Sequence, residues 1–107
     1  MVACDFTGRP IGFLSSTRIA PGTARIMLLG VRPEYRNRGV GQQLLDRFRM
    51  NAFMSGISTL TLEVRPTNLG AIRFYKRNGF MESGIIPRLY QDGGDAIRMD
   101  GPVSMSN

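Results

Sequence analysis

Apolar and polar positions change period several times along the chain, and each change marks an element. Val40, Leu44, Leu45, Phe48 and Ala52 recur at helical spacing, which predicts an amphipathic helix running to about Met54 and ended by Gly56. Ahead of it, Ala24 to Val31 is apolar on both alternating sets, with Ile26 and Leu28 on one and Met27, Leu29 and Val31 on the other. That pattern predicts a central strand covered on both faces. Behind the helix, Ser58 to Val64 alternates, with Leu60, Leu62 and Val64 opposed to Thr59, Thr61 and Glu63. A strand, helix and strand in this order predict a right-handed crossover between parallel neighbours.

The remaining signals are shorter. Val2 to Phe6 and Pro10 to Ser16 read as a hairpin about Thr7-Gly8-Arg9, and Thr17 to Thr23, carrying Pro21-Gly22, as a loop. A second helix is expected from about Leu69 to Arg77, with Asn68 as its N-cap, Asn78-Gly79 as its stop and Lys76 and Arg77 suiting its negative end. Phe80 to Ile86 and Ala96 to Met99 read as strands joined through Tyr90 to Asp95, and Gly101 to Asn107 as a frayed tail. The order strand, strand, strand, helix, strand, helix, strand, strand predicts one α/β domain over residues 1 to 107.

Composition narrows the function. At 42% hydrophobic and 21% charged the chain has the balance of a globular domain, and its 107 residues suffice for one core. No apolar run approaches the ~18 to 20 residues of a membrane helix, so a cytoplasmic protein is expected. The lone Cys4 can form no internal disulfide and is expected to be a small core residue rather than a nucleophile. With no histidine and one cysteine the chain offers little to a metal, and no imidazole-based triad can be built. The formal charge of +6 comes from thirteen arginines and Lys76 against eight acids, and +5 of it lies in residues 1 to 50. Such a field draws polyanions generally, a nucleotide cofactor or a nucleic acid alike.

The sharpest chemistry is at Val31-Arg32-Pro33-Glu34-Tyr35-Arg36-Asn37-Arg38-Gly39-Val40-Gly41, where a strand gives way to a helix. Free backbone N–H groups at that helix start, with little bulk at Gly39 and Gly41, form a cradle for phosphate oxygens, and Arg36 and Arg38 can add forked charged bonds. The bland alternative is that the glycines serve only the turn and close packing while the arginines solvate a surface. The spacing lacks the third glycine of a Rossmann turn and the Gly-Lys-Ser/Thr of a P-loop.

Arg36-Asn37-Arg38-Gly39-Val40-Gly41 resembles the signature of the GNAT N-acetyltransferase superfamily, and Leu29-Gly30-Val31-Arg32-Pro33-Glu34-Tyr35 resembles its lead-in. A second block, Leu62-Glu63-Val64-Arg65-Pro66-Thr67-Asn68, Ala71-Ile72 and Phe74-Tyr75-Lys76-Arg77-Asn78-Gly79-Phe80, is similar to the branch that acetylates ribosomal-protein alanine and other protein N-termini. Tyr90-Gln91-Asp92-Gly93-Gly94-Asp95-Ala96 and Met99 echo the same branch, so the resemblance covers residues 1 to 99. It implies a mixed, mostly antiparallel sheet around a central parallel strand-helix-strand unit. It also implies acetyl-coenzyme A in a splay between Ala24 to Val31 and Ser58 to Val64.

By this resemblance Leu29, Val31, Arg36, Asn37, Arg38, Gly39, Val40, Gly41, Asn68 and Tyr75 hold the cofactor. Glu63 matches the catalytic glutamate that relieves the acceptor amine of a proton and Tyr75 the acid that protonates the departing thiolate. Tyr90, with Glu63, matches the acceptor-binding side. Each has a plainer reading: Glu63 as a surface acid pairing with Arg65 or Arg73, Tyr75 as an aromatic packed with Leu69 and Ile72, Asn68 as an N-cap, Tyr90 as a hairpin aromatic.

Members of the superfamily usually have a strand and one or two helices ahead of the hairpin. This chain begins at the hairpin, so it reads as N-terminally shortened, with an edge strand and an apolar face expected to stand open unless a second copy covers them. The leading expectation is an N-acetyltransferase acting on a protein α-amine, or on another primary amine such as a small molecule. Its rivals are a non-catalytic acyl-coenzyme A binding or oligomerising domain and an arginine-rich nucleic-acid binder.

Overall fold

The computed structural model describes residues 1–104. Its strands are β1 (Val2–Cys4), β2 (Pro10–Ala20), β3 (Thr23–Val31), β4 (Thr59–Val64), β5 (Met81–Ile86) and β6 (Ala96–Pro102), with helices α1 (Val40–Met54) and α2 (Leu69–Arg77). They form one sheet in the spatial order β1-β2-β3-β4-β6-β5. β3 and β4 run parallel, joined through α1, and each other neighbouring pair is antiparallel. The mixed α/β architecture expected from the sequence is the one observed.

Alternation puts Leu60, Leu62 and Val64 of β4 on the face that also carries Ile11 and Leu14 of β2 and Ala24 and Ile26 of β3. The apolar stripe of α1 (Val40, Leu44, Leu45, Phe48, Ala52) and Ile72 and Tyr75 of α2 cover that face. Phe80, Met99 and Val103 close the core, in which Leu45, Leu60 and Met99 are wholly buried. Both helices stop where local chemistry predicts: Gly56 and Gly79 follow their last turns with φ of 86°. Asn68 caps α2 by accepting the Ala71 N–H at 3.2 Å.

Three expectations are corrected by the backbone. β2 does not end at Ser16 but continues to Ala20, so the connection to β3 shrinks to Pro21-Gly22. Ser15, Ser16, Thr17 and Arg18 carry no apolar alternation, and their strand is held by pairing with Ala24 to Leu28. β3 is not covered on both faces, because its register against β2 skips Met27 between Leu28↔Ser15 and Ile26↔Ser16. That extra residue shifts the alternation, so Leu29 and Val31 follow Ile26 onto the core side while Met27 and Leu28 stay 53% and 59% exposed. Nor does the chain fray after Met99: β6 runs to Pro102, and the buried Val103 donates its N–H to the Ser58 carbonyl at 3.0 Å. The end of the expected tail, residues 105 to 107, lies outside the described residues.

Cys4 is also corrected, since it is exposed on β1 rather than built into the core. β1 forms one outer edge of the sheet, beside the solvent-exposed Val2 and Phe6. No helix among the described residues is long and apolar enough to cross a membrane.

The feature that positions the site is a parting of the two parallel strands. β3 and β4 pair at Thr23↔Thr59, Ala24↔Leu60 and Arg25↔Thr61, and there the pairing stops. Ile26 to Val31 continue beside β2, and Leu62 to Val64 beside β6, so a gap opens in the sheet towards the start of α1.

Candidate active site

At this gap a cavity of about 450 Å³ lies between the end of β3, the start of α1 and the inner side of α2. Leu29, Gly30 and Val31 form the strand wall, and Arg36, Asn37, Gly39, Val40, Gly41 and Gln42 the loop and first helical turn. Gly70, Ala71, Phe74, Tyr75 and Arg77 of α2, with Tyr35, close the remainder. Of the residues expected to hold a cofactor, Leu29, Val31, Arg36, Asn37, Gly39, Val40, Gly41 and Tyr75 meet here.

The start of α1 is open to a ligand for local reasons. Gly39 precedes the helix with φ of 82° and Asn37 has φ of 62°, so the loop turns twice through the left-handed region. No side chain caps the helix, and no acid sits in its first turn. The first helical hydrogen bond runs from the Gln43 N–H to the Gly39 carbonyl at 3.0 Å, leaving the Val40, Gly41 and Gln42 amides without partners inside the helix. Such amides, with the positive end of the helix dipole behind them, suit an anion. Nothing lies within 4 Å of where a Gly39 Cβ would stand, so that glycine is required by its φ and not by crowding.

The two arginines of the loop part company. Arg36 lines the cavity, its Nε donating to the Val31 carbonyl at 3.3 Å, which leaves its outer nitrogens free for a ligand. Arg38 turns away and lies over the Tyr35 ring, 5.4 Å from its centroid. Asn68 also stands off the cavity lining, its side chain engaged in the cap of α2.

Tyr75 combines packing with exposure to the cavity. Its ring meets Phe74 and Phe80 edge to face, with centroids 5.3 Å away in each case, and it belongs to the core with Ile72. Leu69, expected beside it, is exposed instead. Burial disfavours the phenolate and pushes the Tyr75 hydroxyl up to about 12. The group is therefore a proton donor, not a base, at neutral pH.

Glu63 lies on the other side of the gap. Its neighbours Leu62 and Val64 face the helices, so its carboxylate emerges on the opposite face of the sheet. The partner is Arg25, whose Nε is 3.4 Å from Glu63 Oε2, and not Arg65 or Arg73. Arg65 is engaged elsewhere: its guanidinium lies 3.9 Å from the Tyr90 ring centroid and pairs with Asp92 at 3.1 Å. Tyr90 is thus clamped in the β5–β6 connection and takes no part in the cavity lining.

Several residues the sequence reading passed over also shape the site. Gly70, Ala71 and Phe74 share a helical face with Tyr75, and the small side chains at positions 70 and 71 leave room beside α1. Gln42 reaches from α1 to Asn78, which donates to the Phe74 carbonyl at 2.9 Å and receives Arg49 on its side-chain oxygen and, more closely, on its backbone carbonyl. Arg49 was detectable as a charge on an apolar stripe, between Leu45 and Ala52 at helical spacing. Among the described residues no group of three or more His, Cys, Asp or Glu could hold a metal ion.

Comparison with known proteins identifies the family and the fold. The sequence model of the acetyltransferase (GNAT) family matches residues 1–80. The [ribosomal protein bS18]-alanine N-acetyltransferase of Escherichia coli K12 is 37% identical over 92 residues, 83% of this chain and 62% of that protein. The crystal structure of Ard1 from Thermoplasma volcanium superposes with a TM-score of 0.87 at 35% identity, covering 92% of this chain and 66% of that one. A nourseothricin acetyltransferase structure gives a TM-score of 0.88 at 31% identity, covering 96% and 64%. The chain spans about three-fifths of the length of these curated relatives.

Proposed function

This chain belongs to the GNAT acetyltransferase family, and from that premise we propose that it transfers an acetyl group from acetyl-coenzyme A directly to a primary amine, the N-terminal α-amine of a protein. The observation that carries the reading is the single cavity in which the open start of α1, Arg36 and Tyr75 meet at the parting of β3 and β4. The acceptor class is supported by the bS18-alanine specificity in the name of the E. coli relative.

Acetyl-coenzyme A supplies the thioester carbonyl and a pyrophosphate. The chain's part in binding falls to the Val40, Gly41 and Gln42 amides and to Arg36, a donor set suited to phosphate oxygens. Asn37 and Gly39 shape the loop, and Leu29 and Val31 offer an apolar wall to the cofactor arm. Arg38 and Asn68 have lesser roles, the one adding charge at the rim and the other fixing the start of α2.

In the transfer a C–N bond forms as the C–S bond breaks. Glu63, directly or through a water, takes up the proton that the amine nitrogen must lose, and the Tyr75 hydroxyl gives a proton to the departing sulfur and recovers one from water. Tyr90, held by Arg65, shapes the acceptor side.

Glu63→Gln tests the assignment. Titration calorimetry should show acetyl-coenzyme A affinity near that of the wild type, while transfer to an alanine-initiated peptide falls roughly 10- to 1000-fold. Unchanged transfer would remove Glu63 as the base. A small-molecule amine is the second reading, favoured by the nourseothricin acetyltransferase fold match, and a panel of antibiotic and polyamine amines would reveal it. Saturable binding without acetylation of any amine would instead point to a non-catalytic acyl-coenzyme A domain. The open edge of β1, with Val2 and Phe6 exposed beside it, supports a homodimer through that edge, which light scattering would detect.

A further inference from the structure

We propose that Arg25 makes the acceptor site selective for amines that arrive neutral, and so separates α-amines from lysine side chains by charge. The inference rests on the reading of Glu63 as the group that receives the acceptor amine.

Arg25 occupies the last paired rung before β3 and β4 separate, so its side chain stands at the mouth of the gap. Its Nε lies 3.4 Å from Glu63 Oε2, with the two side chains 35% and 17% exposed. That Nε is buried and has no hydrogen-bond partner, so its contact with Glu63 is a pairing of charges without an aligned N–H. A guanidinium never deprotonates under working conditions, so the carboxylate always has this cation beside it.

The other charges around Glu63 do not alter the balance. From β6, Arg98 stands opposite Glu63 in the ladder, but its Nε is engaged by Thr61 Oγ1 at 3.3 Å and Asp100 Oδ1 at 3.5 Å. Arg98 is thus offset by Asp100, and Arg25 by Glu63. The site carries no surplus negative charge to draw in an ammonium. An ammonium at Glu63 finds the carboxylate's attraction offset by the Arg25 guanidinium and is not repaid for the hydration it gives up, whereas a neutral amine gives up far less and brings the lone pair that the reaction needs.

The consequence follows from ordinary amine acidities. At pH 7 about one α-amine in ten is neutral, against roughly one lysine side chain in 2500. A site that admits only the neutral form therefore prefers α-amines by about two orders of magnitude before any contact with the rest of the acceptor is made. Arg25 is a specificity-determining residue in this scheme, acting through the charge it places beside Glu63.

The test compares the wild type with Arg25→Gln and Arg25→Lys on an alanine-initiated peptide, and on an Nα-acetylated peptide with one lysine, between about pH 6.5 and 8.5. For the wild type, KM for the α-amine peptide should rise roughly 10- to 20-fold on going to the acid end while kcat stays level, because only the neutral fraction binds. In Arg25→Gln the ammonium binds as well, so KM should flatten to within about 3-fold and kcat should take over the pH dependence. For the lysine peptide KM should fall roughly 3- to 30-fold in Arg25→Gln with kcat falling alongside it, and Arg25→Lys should restore the wild-type pattern. The proposal is overturned if Arg25→Gln retains transfer with the wild-type KM profile, or if Arg25→Gln and Arg25→Lys lose transfer alike. Should Glu63→Gln retain full transfer, the reading of Glu63 fails and this inference with it. A loss in Glu63→Gln alongside an unchanged profile in Arg25→Gln rejects the inference alone.

Discussion

The carboxamides of Gln42 and Asn78 face each other in a reciprocal pair: Gln42 Nε2 donates to Asn78 Oδ1 at 2.7 Å, and Asn78 Nδ2 donates to Gln42 Oε1 at 3.1 Å. This joins the first turn of α1, which lines the cavity, to the residue that caps the end of α2. Arg49 completes the joint by bonding to Asn78 while its guanidinium lies 5.3 Å from the Phe80 ring centroid. Burial lowers the arginine's affinity for its proton, and Asp46 partly offsets this, so the charge depends on its few partners.

Asn78→Leu should therefore cost about 1 to 3 kcal/mol in urea denaturation, because it removes the carboxamide that Gln42, Arg49 and the Phe74 carbonyl share, while Arg49 keeps the backbone carbonyl of residue 78 and Gln42 keeps Asp46. Gln42→Ala should cost only about 0.5 to 1.5 kcal/mol, since Arg49 keeps its bonds to Asn78. Both should weaken acetyl-coenzyme A binding in calorimetry, because both release the start of α1 from α2. Equal stability of Asn78→Leu and wild type would show that the two helices are held by apolar packing alone.

The two glycines at the start of α1 should respond in opposite ways to alanine. Gly39 holds φ of 82°, where a Cβ is strained, so Gly39→Ala should lose about 1 to 2 kcal/mol. At Gly41 a Cβ would make ordinary contacts, 3.8 Å from Val31 Cγ2 and 3.9 Å from Phe74 Cζ, inside a helix. Gly41→Ala should be neutral, or stabilising by up to about 1 kcal/mol, in thermal or urea melts. A comparable loss in both would mean that crowding, not backbone conformation, selects glycine here.

Much of this arrangement was legible in the sequence where side chains alone decide. The stripe from Val40 to Ala52 and the alternation of Leu60, Leu62 and Val64 reflect burial on one face, so their periods announce α1 and β4. The Asn68 cap and the Asn78-Gly79 stop are local chemistry and were equally readable. What escaped depends on partners far along the chain. Ser15 to Arg18 of β2 are polar on both faces and hold their strand through the ladder to β3, and the bulge at Met27 is a property of that ladder, not of either strand. Arg25 and Glu63 are 38 positions apart and become neighbours only because their strands run parallel. Residues 31 to 41 predicted an open helix start, but not that Arg36 would line the cavity and Arg38 would turn to Tyr35.

That division between the two arginines is open to measurement. Arg36→Ala should weaken acetyl-coenzyme A binding by about 1 to 3 kcal/mol in calorimetry, the range of a charge-assisted bond to phosphate. Arg38→Ala should cost less than about 1 kcal/mol, because its guanidinium is absent from the cavity lining and lies over the half-buried Tyr35 ring. The Arg36 effect should shrink as salt rises. Equal losses would mean that Arg38 leaves Tyr35 to join the ligand; no loss in either would assign binding to the backbone amides alone.

Tyr75 links the chemistry to the stability of the core. Folding favours its neutral hydroxyl, whose pKa is raised from 10 to about 12, so the unfolded chain releases this proton first. The stability that this provides is complete below about pH 10 and is lost as the pH rises towards 12. Urea denaturation followed over that range should therefore show the wild type losing up to ~2 to 3 kcal/mol more than Tyr75→Phe, whose ring packs in the same way but has no proton to lose. Below about pH 9.5 the donor stays fully protonated, so kcat for the wild type should show no alkaline decline arising from it. Tyr75→Phe should lower kcat by roughly 10- to 1000-fold while leaving acetyl-coenzyme A affinity within a few-fold. A Tyr75→Phe protein that keeps full kcat would leave the ring as a packing element and require the departing thiolate to take its proton from water.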